Sequence, residues 1–285
     1  MNKVYACIDG RPSDATVTDW ATWSALRLRA PLELLHALER HPETSGLSDF
    51  SGAIGLGSQE ALLQEMSELD AQRSKLAQEA GHHLLAAARQ RAEGMGAAGV
   101  EVRMRHDQLV DTLLELQGDA RLYVIGRHSD AAARSTRHLD HHVERVVRSV
   151  KRPVLVVSGE AFAIPRRFVI AFDGSATMRK TVATVAESPL LAGIPVMLAM
   201  AASDSERPHA QLAEAAQLLQ AAGFAVEVAV RSGNPEEVVV GLATSYEASL
   251  LVMGAYGHSR VRELLVGSTT TTLLRTSPVP VLILR

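Results

Sequence analysis

The sequence predicts an α/β protein built as two five-stranded parallel-sheet domains in tandem, and three observations carry that reading. The chain repeats itself: "VYACIDG" (Val4–Gly10) recurs as "FVIAFDGS" (Phe168–Ser175), "ARLYVIG" (Ala120–Gly126) as "ASLLVMG" (Ala248–Gly254), and "RPVLVV" (Arg152–Val157) as "VPVLIL" (Val279–Leu284). Three matches in one order mark a duplication. Short apolar runs without helical period then alternate with segments that have one. Finally, those runs are apolar and rich in β-branched residues, as in a parallel sheet covered by helices on both faces.

The second copy displays each element in turn. Phe168–Phe172 reads as a buried strand, and Met178, Val182 and Val185 mark one face of the following helix. Pro195–Met200 is the second strand. A helix over about 207–222 turns Leu212, Ala215 and Leu219 inward and stops at Gly223. Phe224–Val230 is the third strand; "GNPEEVV" then opens a helix with Asn234 as cap, Pro235 in the first turn and acidic residues at its positive end. Leu250–Met253 is the fourth strand, Ser268–Arg275 a helix and Val281–Leu284 the fifth strand. In the first copy, Asp9 to Gly126 is 117 positions against 81 from Asp173 to Gly254. About 36 additional residues therefore precede its fourth strand, placed between Glu39 and Leu69, where "SGLSDFSGAIGLGS" reads as a loop running into a long helix. The boundary falls at "SGEAFAIPRR" (Ser158–Arg167), which places the domains at 1–158 and 166–285.

Composition agrees and narrows the function. A chain of 285 residues with 47% apolar and 21% charged residues is globular and long enough for two cores. A net charge of -3 and the lack of a basic stripe argue against nucleic acid as a partner. The N-terminus passes directly into a strand pattern and no apolar run reaches a membrane span, so a cytoplasmic protein without membrane attachment is expected. The single cysteine, Cys7, excludes an internal disulfide and reads as a buried structural thiol.

The chemistry is concentrated in "GAYGHSRVRELLVGS" (Gly254–Ser268). In a sheet of order 3-2-1-4-5, ligands sit beyond the carboxyl ends of strands one and four, where the order reverses. Asp173, followed by Ser175, ends the first of these strands; Met253 and Gly254 end the other. Gly254 and Gly257 lack a β-carbon, so they can take positive φ and let a ligand approach backbone N–H groups. Gly267, Ser268 and Thr269 open the next helix, where unpaired N–H groups and the positive dipole end suit phosphate. His258 either assists a phosphate or is a solvated loop histidine. Each feature alone fits a plain turn or cap; their joint spacing after these strands points to a nucleotide.

The stretch "MGAYGHSRVRELLVGSTT" resembles the ATP-binding signature of universal stress proteins: GxxG, nine residues, then G followed by S or T. The resemblance spans both halves and implies a tandem universal stress protein with doubly wound five-stranded domains. It implies adenine nucleotide, ATP with Mg²⁺, held by Asp173, backbone near Met200, Gly254, Gly257, Gly267 and Ser268. Pairing of the fifth strands between domains, and a possible homodimer, are implied as well.

The first copy departs from the signature. Asp9 and Gly126 remain, but Gly267 aligns with Asp140 and Ser268 with His141, which repel or fail to cradle a phosphate. One nucleotide per chain is expected. His138, His141 and His142 share a helical face at i, i+3, i+4, a spacing that Zn²⁺ sites use; a solvated surface is the stronger reading, and no metal is expected. The leading function is an ATP-binding regulator of the stress response with little or no turnover, at most a weak ATPase. The alternatives are a slow ATPase or nucleotidyl-transfer enzyme of related fold, and a scaffold with a vestigial nucleotide pocket. No Lys directly follows the glycine loop, and no base is evident for an attacking water.

Overall fold

The computed structural model describes residues 2–38, 56–127, 141–158, 161–254 and 268–285. The first copy runs β1 (Lys3–Cys7), α1 (Asp14–Leu28), β2 (Leu32–Ala37), α2 (Leu56–Gly94), β3 (Glu101–Arg105), α3 (Leu109–Leu116), β4 (Ala120–Gly126), α4 (His141–Ser149) and β5 (Val154–Val157). The second runs β6 (Phe168–Ala171), α5 (Ala176–Glu187), β7 (Val196–Ala201), α6 (Glu206–Ala221), β8 (Val226–Arg231), α7 (Pro235–Ser245), β9 (Leu250–Gly254), α8 (Ser268–Thr276) and β10 (Val281–Leu284).

All ten strands join one sheet in the order β3-β2-β1-β4-β5-β10-β9-β6-β7-β8. Each half keeps the doubly wound order 3-2-1-4-5, and every pair within a half is parallel. The halves meet through their fifth strands, which pair antiparallel: Val281 opposite Val156, Leu282 opposite Leu155, Ile283 opposite Val154. Both strands are buried along their whole length. An apolar strand left at an edge would offer unpaired backbone groups and greasy side chains to any passing chain; here each fifth strand covers the other.

Contacts beyond the strands tie the halves together. Trp20 of α1 meets Phe162 of the connecting segment edge-on, with ring centroids 5.2 Å apart. Arg27 donates to the carbonyl of Leu190 (3.0 Å) and to that of Ala192. Between them lies a cavity of about 260 Å³ floored by Leu122, Leu191 and Leu282.

Local chemistry explains the helix ends. Asn234 Oδ1 accepts the Glu236 N–H at 2.9 Å, with Pro235 next to it, as the sequence suggests. After α6, Gly223 takes φ +87°. Its N–H goes to Gln220 O and that of Phe224 to Leu219 O, a Schellman ending. Phe224 is thereby committed to the helix stop and packs on Phe168, so β8 begins at Val226, two residues later than the apolar pattern suggested.

Most of the additional length of the first copy lies in α2, which has 39 residues against the 16 of α6 and is roughly 58 Å long. Of its residues, Leu85, Ala88 and Ala92 reach the core. Gly81 lets the helix approach the sheet, since a β-carbon there would lie 2.8 Å from His36 Cδ2. No described helix is long and apolar enough to cross a membrane. Cys7 is buried, which pushes its thiol well above the usual range, in keeping with a structural role.

Candidate functional site

In the second half, β6 lies between β7 and β9, so the strand order reverses between β6 and β9. The two pair from Phe168 opposite Leu250 to Ile170 opposite Val252, which brings Asp173 and Gly254 to the same end of the sheet. From β6 the chain turns sharply into α5. Asp173 Oδ1 accepts the Ser175 N–H at 2.8 Å, Gly174 takes φ +72°, and Ser175 Oγ caps α5 by accepting the Met178 N–H at 3.1 Å. Asp173 is exposed at the mouth of the crevice, and its position is set by this turn. Ser175 is thus the N-cap of α5.

Gly254 serves close packing between α5 and the end of β9. It does not have positive φ, and its N–H donates to Met178 Sδ at 3.1 Å. A β-carbon at 254 would lie 2.9 Å from Met178 Sδ and 3.1 Å from both Thr177 Cγ2 and Thr181 Oγ1. Glycine is needed here so that the first turn of α5 can lie against the end of β9. The first copy repeats the device: a β-carbon at Gly126 would lie 2.5 Å from Ser13 Oγ at the start of α1.

Met200 and Met253 are buried with their side chains in the core, so they can offer a ligand only strand-end backbone. Ser268 opens α8 and is exposed, with Thr269 half-buried beside it. The first four N–H groups of any helix lack intrahelical partners. Gly257, His258 and Gly267 lie outside the described residues.

Two side chains at this crevice escaped the sequence reading. Arg179 donates to Gly174 O and so places a cation on the Asp173 turn; its position in the first turn after strand one was a visible signal. Thr181 Oγ1 is buried against Gly254 and makes no hydrogen bond, and nothing local in the sequence marked it.

The equivalent crevice of the first copy holds a cavity of about 210 Å³ lined by Cys7, Asp9, His36, Ile125, Gly126 and His142 among others. Here Asp14, at the start of α1, turns its carboxylate back on the strand-end loop. It accepts the N–H groups of Asp9 (3.0 Å) and Gly10 (2.8 Å). Burial, with Asp9 nearby, pushes the Asp14 carboxyl up to about 6 against the pull of those two N–H groups. His36 Nδ1 lies 2.7 Å from Ile8 O, which can only accept, so Nδ1 carries the proton. Asp140 and His138 lie outside the described residues. No cluster of three or more His, Cys, Asp or Glu able to hold a metal is present among the described ones.

A duplicated doubly wound α/β domain, with a carboxylate turn and a strand-ending glycine side by side at the strand-order reversal, defines a class of small α/β proteins. The Universal stress protein family model matches residues 1–158 and again 165–285. The chain belongs to the universal stress protein family. It is 32% identical over 288 aligned residues to the universal stress protein Slr1230 of Synechocystis sp. (strain ATCC 27184 / PCC 6803 / Kazusa), covering 100% of both chains. A universal stress protein from Archaeoglobus fulgidus DSM 4304 shares the fold with a TM-score of 0.68 at 18% identity, covering 100% of this chain and 96% of that one. The functionally unknown protein PA1789 from Pseudomonas aeruginosa PAO1 does so with a TM-score of 0.63 at 18% identity, covering 100% and 92%.

Proposed function

We propose that this protein is a cytoplasmic, ATP-binding regulator of the stress response whose nucleotide sits in the second domain, residues 166–285. The observation that carries the reading is the Asp173 turn lying with Gly254 at the β6/β9 strand-order reversal, with the complete GxxG-nine-GS spacing running in sequence from Gly254 to the start of α8. Asp173 accepts from a ribose hydroxyl, strand-end backbone near Met200 meets the base, and the N–H groups that open α8 at Ser268 and Thr269 take the phosphates. Gly257, His258 and Gly267 belong to the same phosphate end by their place in the signature. Arg179 adds positive charge at the Asp173 side of the crevice. Mg²⁺ would arrive with the phosphates, which it commonly bridges.

Such a site holds a ligand better than it turns one over. Asp173 is tied to the Ser175 N–H, which suits a fixed acceptor more than a base for water. A titration calorimeter reads the outcome. One ATP per chain is expected, weakened roughly a hundredfold or more by Gly267→Asp, because a carboxylate there loses the favourable helix-end interaction and repels phosphate. Asp9→Ala should leave binding unchanged. Turnover with Mg²⁺ should stay far below about 1 s⁻¹. Two equivalent sites, or binding that survives Gly267→Asp, would refute the assignment. Robust hydrolysis would favour the slow-enzyme alternative, and no binding at all a scaffold with a vestigial pocket.

A further inference from the structure

Helix α8 is held at its far end by the other domain. Its last four carbonyls have no partners within the helix. Leu273 O receives the Ser277 N–H at 2.8 Å, and Pro278 prevents the chain from supplying further helical donors. Two of the remaining carbonyls are met by Arg127, which follows directly on Gly126 at the end of β4 in the first domain. Its Nη1 donates to Leu274 O (2.6 Å) and Arg275 O (3.1 Å), and its Nη2 to Ser277 O (3.1 Å). The residue is itself pinned, its backbone N–H going to Val157 O of β5 at 2.7 Å. One guanidinium thus caps a helix of the opposite domain, and its charge faces the negative end of that helix.

We propose that Arg127 is a positioning residue for the second domain's nucleotide, acting through α8 from the first domain. This rests on the reading that Ser268 and Thr269 open the phosphate site. The helix is nine residues, roughly 13 Å from end to end, and short enough to move as one rod. A rod fixed at its carboxyl end presents its N-terminal N–H groups in one place. With that end released, only part of the population has α8 in place, and apparent affinity falls by that fraction. The coupling is reciprocal, so a nucleotide on the N-terminal end also steadies the Arg127 contact and hence the seam between the domains. In this way a first domain that lacks the signature still contributes to binding in the second.

The test compares three full-length variants by calorimetric titration with ATP and by amide hydrogen exchange of α8 without ligand. Arg127→Met keeps the apolar stem and removes the charge and the fork. It should weaken ATP binding about threefold to thirtyfold, the range of a cation at a partly buried helix end, and should speed exchange in residues 268–276. Arg127→Lys, which keeps the charge, should recover part of both. Arg27→Met cuts contacts at the same seam, to Leu190 and Ala192, without touching α8, and should leave both readouts near wild type. Equal affinity and equal α8 exchange in Arg127→Met and wild type overturn the proposal. So does an Arg27→Met variant that loses as much as Arg127→Met, since general loosening of the seam would then explain the effect. If the wild type binds no ATP, the nucleotide reading and the coupling built on it fail together, while the exchange data still decide whether Arg127 fixes α8.

Discussion

Substituting Gly254 by alanine tests whether this glycine serves a ligand or the fold. The added β-carbon would stand 2.9 Å from Met178 Sδ and 3.1 Å from Thr177 Cγ2 and Thr181 Oγ1, inside ordinary contact distance on three sides. The two threonines are β-branched and stiff at χ1, so they cannot swing aside cheaply. Met178 can bend, but it is only 4% exposed, and moving it disturbs the packing beneath α5. Relief therefore needs α5 to shift by some tenths of an ångström. Overpacking of this kind costs about 1–3 kcal/mol, and three simultaneous contacts place Gly254→Ala near the middle, about 2 kcal/mol. Guanidinium denaturation reads this as a lower midpoint with an unchanged slope. Met178→Ala removes the nearest atom, and although it costs about 2–5 kcal/mol alone, the double variant should be at least about 1 kcal/mol more stable than the two single losses predict. A Gly254→Ala protein within about 0.5 kcal/mol of wild type that has nevertheless lost ATP binding would refute the packing account and return Gly254 to the role of admitting a ligand.

Two further outcomes follow from the structure. Asp14, raised to about 6 from an ordinary 3.8, binds a proton in the folded state that the unfolded chain has already released. Stability should therefore fall as pH rises from about 4 to 6, by about 1–2 kcal/mol once partial solvent exposure is allowed for. Asp14→Asn should flatten that part of the profile in denaturation melts at each pH, and an unchanged slope would count against it. Leu282, buried opposite Leu155 at the domain seam, should cost about 2–5 kcal/mol when cut to alanine; a loss under about 1 kcal/mol would mean that the seam is open in solution.

Much of this architecture was legible in the chain because the relevant physics is local. Continuous apolar runs such as "VLVV" and "VLIL" read as buried strands, and repetition of the strand-end Asp-Gly pair exposed the duplication. The Asn234–Pro235 cap and the Gly223 stop were visible because donor and acceptor lie within five residues of each other. Phe224 misled for an equally physical cause: its apolar character matched a strand, yet Gly223 drew it into the helix ending. At the candidate site, the Asp173–Gly174–Ser175 turn was readable as a turn, but its division of labour was not. Both side-chain oxygens accept backbone N–H groups, and which N–H each one takes is set only in the folded turn.

By itself the sequence determined what periodicity, β-branching and capping can encode: ten strands in two equal sets, their alternation with helices, the membership of the universal stress protein family and the GxxG-nine-GS spacing. Folding decided what depends on residues far apart in the chain. Gly254 meets Met178 across 76 positions, and Arg127 meets the end of α8 across 147 to 150. An N–H satisfied by a sulfur, or a carbonyl satisfied by another domain's guanidinium, leaves no local pattern, because either partner alone is an ordinary residue in an ordinary place. Their roles exist only once the sheet has brought the two strand ends, and then the two fifth strands, side by side.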